Sequence, residues 1–283
     1  MTDDPNLLGA FLRARRELVT PEGAGIPVHG VRRVPGLRRE EVAMLAGISA
    51  DYYLRLERGR DRHPSVQVLE SLATVLQLDD DAREYLVGLV AEKPRKRRRA
   101  RREVVPTGTA NLLSVLPFPA FVEGRYLDVL AANPLATALS PRLTAGANRL
   151  RDVFLDPEEK EMFQDWELAA AYLIAGFRQA VGTDTDDPRF IELVGELTLA
   201  SPLFQRLWAR HDVRPRMSGT VRFTHPQLGE ITLNREKYLV AGTDGIMLVV
   251  YHPDAGSEHA EKLALLGSAL GSARSGTSRS PAR

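Results

Sequence analysis

Six arginines fall within 25 residues, at positions 38, 39, 55, 58, 60 and 62, interleaved with Ser49, Asp51 and Tyr52. Guanidinium groups and hydroxyls at this density suit hydrogen bonding to phosphate oxygens. Nothing comparable is set out for bond making. The chain has no Gly-x-Ser-x-Gly elbow, no Walker-type phosphate loop and no His-Glu-x-x-His zinc motif. Gly23-Ala24-Gly25 begins like a dinucleotide loop, but Val28 takes the third glycine's place and no strand pattern precedes it. The six histidines are scattered, and His211 and Asp212, as neighbours on a helix, point different ways. With no cysteine, thiolate nucleophiles, disulfides and cysteine-held metals are excluded. The expectation is a protein that is not an enzyme and carries no cofactor or metal.

Such arginines need a scaffold, and the stretch from Arg38 to Gly59 supplies one. It reads as one helix, a turn at Gly47 and a second helix, with Val42, Leu45 and Ala46 apolar on the first and Tyr53 and Leu56 facing inward on the second. Gly47 can take the positive φ that the turn needs, Ile48 plugs the space between the helices, and Ser49 caps the N–H groups at the end that would approach phosphate. This is the helix-turn-helix layout, whose second helix enters the DNA major groove with its N-terminal residues toward base edges.

The length of 283 residues suggests about two domains. Apolar residues at 43% and charged residues at 27% match a globular chain. The clearest boundary is Arg95 to Arg102, seven basic residues in eight, which reads either as extra phosphate contacts or as a solvated spacer. Through Glu103 there are 20 basic and 16 acidic residues, a net +4; the remainder, with 18 and 21, is −3. Only one part of the chain is therefore suited to a polyanion. The acidic start Met1-Thr2-Asp3-Asp4 lacks the order of a secretion signal, and the uncharged stretch from Val104 to Val122 is interrupted by prolines, a glycine and hydroxyls, so a cytoplasmic, membrane-free protein is expected.

Before the basic run the pattern predicts five short helices. Leu7, Leu8, Phe11 and Leu12 mark the first, and Ser65 and Asp79 look like N-caps of the last two. After it the pattern is mixed. A hairpin is predicted over Ala120 to Leu130, turning at Glu123-Gly124-Arg125. Two long helices follow, one with Met162, Trp166, Leu173 and Phe177 on its stripe and one running from Phe190 through Phe204 and Trp208 to His211. Alternation at Val221 and Phe223 and at Ile231 and Leu233 predicts paired strands, and Ile246 to Tyr251 reads as a central strand. The expected fold class is α+β multidomain: an all-α five-helix domain at 1–92, a basic linker at 93–110, an α+β domain with an antiparallel sheet at 111–270, and a disordered tail at 271–283.

The helix-turn-helix stretch resembles the lambda-repressor-like, or XRE-type, regulators. Leu8 to Arg16, Arg32 to Ala43, Tyr52 to Glu57 and Pro64-Ser65 are similar, more closely, to actinobacterial-type regulators with a MmyB-like ligand-binding domain, over most of residues 7 to 90. That resemblance implies Ala50, Asp51 and Arg55 as base readers and Arg39, Tyr52, Arg58, Arg60 and Arg62 as phosphate contacts. Asp51 has two readings, accepting from cytosine N4 or complementing the helix N-terminus. It also implies that Glu57 pairs with Arg13 or Arg16. At Arg58 the chain departs from relatives, which often carry glutamine there.

Asp128 to Pro134 resembles the start of a PAS-type sensor, where a strand ends in an Asn-Pro turn. The stretch from about Leu116 to Leu270, including Trp208 to Val213 and Gly229 to Leu233, resembles the MmyB-like domain, described as PAS-like and in some members holding a fatty acid. The resemblance implies a small apolar ligand, with Phe163, Trp166, Leu173, Phe177, Phe204 and Trp208 as lining candidates. Arg178, His211 or Arg210 could anchor a carboxylate. The aromatic residues equally suit a plain core. The resemblance thus implies a ligand-responsive transcription regulator bound as a homodimer to a pseudo-palindromic operator in double-stranded DNA. The alternative is a protein-interaction or dimerisation module without a small-molecule ligand and with a vestigial or non-specific DNA-binding domain.

Overall fold

The protein is described by a computed structural model covering residues 6–28, 32, 34–91, 103–182, 184–213 and 218–277. The basic run from 95 to 102 lies outside the described residues. The chain forms two compact units. One comprises Met1–Arg98, Ile174–Ile191 and Pro202–Pro215, the other Arg99–Leu173, Glu192–Ser201 and Arg216–Arg283.

In the first unit the N-terminal part is built from five helices, α1 (Leu7–Leu18), α2 (Arg39–Leu45), α3 (Ala50–Glu57), α4 (Val66–Val75) and α5 (Asp80–Val90). Their starts are fixed by side chains that satisfy free N–H groups. Asn6 accepts from Gly9 N, Ser49 from Tyr52 N, Ser65 from Val68 N and Asp79 from Ala82 N. At the turn, Gly47 adopts φ +68° and Ile48 N donates to the Ala43 carbonyl at 3.0 Å. Phe11, Leu12, Leu37, Val42, Tyr53, Leu56 and Leu72 are fully enclosed, and Ile48 packs on them. Leu45, on the expected inner stripe, is instead exposed.

In chain order there follow α6 (Thr107–Val115), β1 (Ala120–Glu123), β2 (Val129–Ala132), α7 (Pro134–Leu139), α8 (Arg149–Leu155), α9 (Pro157–Met162), α10 (Trp166–Val181), α11 (Pro188–Ala200), α12 (Pro202–Ala209), β3 (Gly219–His225), β4 (Gly229–Leu239), β5 (Met247–His252) and α13 (Glu258–Thr277). Among the described residues the strands form one antiparallel sheet in the order β2-β1-β5-β4-β3. The run around Leu248 to Tyr251 is its central strand, buried on both faces. One face carries Phe121, Val249, Tyr251 and Phe223 with Leu139 of α7 and Leu263 of α13; the other carries Val122, Leu248 and Val250 with Leu113 of α6. No helix among the described residues is long and apolar enough to cross a membrane.

Several elements differ from the sequence pattern. The β1–β2 hairpin is looser than expected: Leu127 takes φ +65° and the second strand begins only at Val129. Met162 does not share a helix with Trp166, because Phe163 bridges to Phe223 of β3 and Gln164 N donates to the Arg222 carbonyl, so the backbone there bonds to the sheet. The long helix expected from Phe190 to His211 is two, α11 and α12. Pro202 has no N–H to continue the first and starts the second, where a missing donor costs nothing. The helical backbone of α13 continues through Thr277, into the stretch expected to lack structure; residues 278–283 lie outside the described residues.

Candidate functional site

The polar face of the helix-turn-helix is organised by one buried carboxylate. Glu57 is fully enclosed and accepts from Arg16 Nε at 2.7 Å and from Arg39 Nε at 2.6 Å. Burial alone would raise its carboxyl pKa; the hydrogen bonds and charges of the two arginines outweigh that and hold it below the ordinary range. Of the two partners implied for Glu57, Arg16 is therefore the one used, and Arg39 joins it. Arg39 keeps 43% of its side chain exposed, so its charge remains at the surface. A second tie locks the entry to α2: Arg32 grips Glu41 with both terminal nitrogens at 2.8 Å, and Arg38 N donates to the same carboxylate.

On α3, Ser49, Ala50, Asp51 and Arg55 are exposed and Tyr52 is half-buried. Arg55 Nη1 pairs with Asp51, one helical turn earlier, and its guanidinium carbon lies 5.4 Å from the centre of the Tyr52 ring. Beyond the helix, Arg58, Arg60 and Arg62 are exposed, with Arg62 Nε donating to the Gly59 carbonyl at 3.1 Å. The candidate DNA residues thus lie at both ends of α3: Ser49, Ala50 and Asp51 at its exposed start, and Arg58, Arg60 and Arg62 beyond its other end, where Arg39 bonds Glu57.

Of the candidate ligand residues, Phe177, Arg178, Phe204, Trp208 and His211 fall in the first unit and Phe163, Trp166 and Leu173 in the second, the division running through α10 between Leu173 and Ile174. In the first, Phe177, Phe190 and Phe204 surround Trp208 at 5.7–6.0 Å between ring centres. Arg178 lies over the Trp208 indole at 3.8 Å, donates through Nη2 to the Trp208 carbonyl and meets His211 Nδ1 at 3.1 Å through Nη1. Burial pushes the Arg178 guanidinium down to about 10. His211, at φ +52°, is pushed down to about 3, by burial first and then by the charges of Arg178 and Arg15. It is therefore neutral and accepts from Arg178. Arg210, the other carboxylate-anchor candidate, pairs instead with Asp212, which also takes Arg15.

In the second unit Phe163 packs on Phe223 at 5.4 Å, and Trp166 Nε1 donates to the Val153 carbonyl at 2.7 Å with Lys160 over its ring. Sequence reasoning missed a buried charge group here: Glu123 takes both Arg149 at 2.9 Å and Lys237 at 2.6 Å. It also missed Phe190 and Asp212 in the first unit. Phe190 was readable as a member of the helical stripe; Asp212 carries no local signal. Among the described residues no group of three or more His, Cys, Asp or Glu side chains could hold a metal.

Residues 7–86 match a helix-turn-helix domain family, and residues 104–266 match the MmyB-like transcription regulator ligand binding domain. No curated protein matches the chain. The second match alone covers more than half of the sequence. An exposed, arginine-rimmed recognition helix followed by that domain makes the chain a DNA-binding transcription regulator with a ligand-binding domain, and it belongs to the MmyB-like transcription regulators.

Proposed function

We propose that this regulator binds a specific pseudo-palindromic operator as a homodimer and answers to a small apolar ligand of fatty-acid type. The observation that carries the DNA half is the exposed start of α3, capped by Ser49, with the exposed cations Arg39, Arg58, Arg60 and Arg62 at the helix's other end. Ala50 and Arg55 face base edges in this reading, with Asp51 beside Arg55 as its ion-pair partner, and the four arginines, with Tyr52, meet phosphates. Two such helices would enter major grooves about 34 Å apart. Asn133, which ends β2 and accepts from Ala136 N ahead of Pro134, supports the PAS-like reading of the second domain. The aromatic group around Trp208, with the buried Arg178 cation on it, supports an apolar ligand bearing an acid group.

Selection of sites from random DNA by the full chain tests the first half: enrichment of a two-fold sequence is expected, and binding that ignores sequence would refute it. Native and denaturing mass spectra of the full chain test the second. The full chain is required because Val213 packs into the core of the N-terminal helices and Asp212 pairs with Arg15 of α1. A released adduct in the fatty-acid range is expected, and its effect on operator affinity would correspond to about 1–3 kcal/mol. A second reading, a dimerisation domain without ligand, is favoured by the complete burial of Phe177 and Phe204, which suits a plain core. Protein that stays bare after incubation with a lipid panel would support it.

A further inference from the structure

The recognition helix presents one base-reading candidate that is held from two sides. Arg55 is bonded through Nη1 to Asp51 and lies over the Tyr52 ring, so the side chains four and three residues before it share its helix face. Tyr52 is itself anchored, packing against the hydrophobic core of the unit. A free arginine carries rotamer entropy that binding must remove; one already braced loses less of it.

The brace uses one nitrogen. Among the described residues, no bond engages the Nε–Nη2 edge of Arg55, which keeps two parallel N–H donors in the fork that matches guanine O6 and N7. Asp51 is 73% exposed and sits in the field of a polyanion when DNA is bound. As an isolated carboxylate it would be repelled there; paired with Arg55 it is neutralised. Only Asp51 Oδ2 is engaged, so bracing and direct readout through Oδ1 are told apart by whether the effect of Asp51 depends on Arg55.

We infer that Arg55 reads a guanine in each operator half-site and that Asp51 is its positioning residue, acting on specificity through Arg55 rather than by touching a base. This rests on the DNA-binding role of α3 and deepens it. The same geometry also fits an ordinary surface ion pair that only supports the helix, and the two differ in what they do to base preference.

The test uses the full chain and the operator enriched from random DNA, with each base pair of a half-site then replaced in turn. Wild type is expected to prefer guanine at one position by about tenfold or more, the discrimination of a good bidentate contact. Arg55→Ala should abolish that preference at that position alone. Asp51→Asn should reduce it severalfold at the same position while leaving nonspecific affinity unchanged or higher, and should do nothing further in the Arg55→Ala background. Both residues are exposed, and circular dichroism confirms that the variants fold. If Asp51→Asn alters another base pair, or still alters preference when Arg55 is absent, Asp51 reads a base directly and the inference fails. If the Arg55 preference survives Asp51→Asn intact, the pair is merely a helix support. Selectivity that neither variant moves overturns the inference alone, whereas no enriched operator at all overturns the sequence-specific reading with it.

Discussion

Arg39 Nε lies 2.6 Å from Glu57 Oε2, so an arginine suited to phosphate is oriented by the one carboxylate that also secures α1 to α3 through Arg16. The contact gives two variants different signatures. Glu57→Ala leaves Arg16 buried without its carboxylate and is expected to cost about 3–5 kcal/mol in urea unfolding. Arg39→Ala, at a half-exposed position, should cost about 1 kcal/mol or less, yet weaken DNA binding and lower the magnitude of the salt slope by about one. An unchanged slope would remove Arg39 from the phosphate contacts.

The pH dependence of stability has two parts with the same sign. Glu57 has a folded pKa below the ordinary carboxylate value, so its contribution is present above that range and is lost as the pH falls through its folded value. His211 is neutral in the fold down to about pH 3, whereas the unfolded chain takes up that proton near its ordinary value of 6.5. The unfolded state is thereby favoured progressively as the pH drops from 6.5 toward 3. His211→Asn keeps an acceptor for Arg178 and tolerates the positive φ. Urea midpoints should fall between about pH 7.5 and 5 in wild type and fall less in the variant. Equal slopes would mean that His211 is solvated.

The parts of this fold legible in the sequence were those written in local chemistry. Ser49, Ser65 and Asp79 each announce a helix start because a short oxygen-bearing side chain before an apolar run has one obvious use, and each bonds the N–H three residues on. Pro202 was equally local, but the apolar stripe on both sides of it outweighed it in a reading by period alone. Other features are properties of packing. That Phe163 bonds to the sheet rather than extending α10, and that Phe177 and Trp208 meet at 6.0 Å between ring centres, follow from contacts between segments distant in sequence. The sharing of Glu57 by two arginines is of the same kind: 41 and 18 residues separate the partners.

Gly9 shows how close an approach the sequence conceals. A Cβ built at this helical position would collide with the backbone carbonyl of Glu57 and with the Asn6 side chain. Ala is ordinarily the better helix former by about 1 kcal/mol. Here Gly9→Ala is expected to destabilise the unit instead, since backbone cannot move aside as a flexible side chain does. Thermal unfolding reads the sign directly, and a raised Tm would show that α1 and α3 can separate without cost.

Phe204 and Trp208 decide between the two readings of the aromatic group. Phe204 is fully enclosed and stacks on Trp208 at 9° between ring planes. If the rings serve only as core, Phe204→Ala should cost about 3–5 kcal/mol, and the loss should be the same before and after the protein is stripped of lipid. If they line a ligand site, stripping should itself lower the stability of wild type, because a ligand that binds only the folded state adds RT ln(1 + [L]/Kd). Phe204→Ala should then lose less on stripping than wild type does, having less bound ligand to lose. Trp208→Phe separates the Arg178 contact from the packing. It keeps an aromatic ring but a weaker face for the cation, and should cost about 0.5–2 kcal/mol beyond the packing change. A variant as stable as wild type would show that Arg178 is held by its hydrogen bonds, to the Trp208 carbonyl, His211 and Tyr85, without help from the indole face.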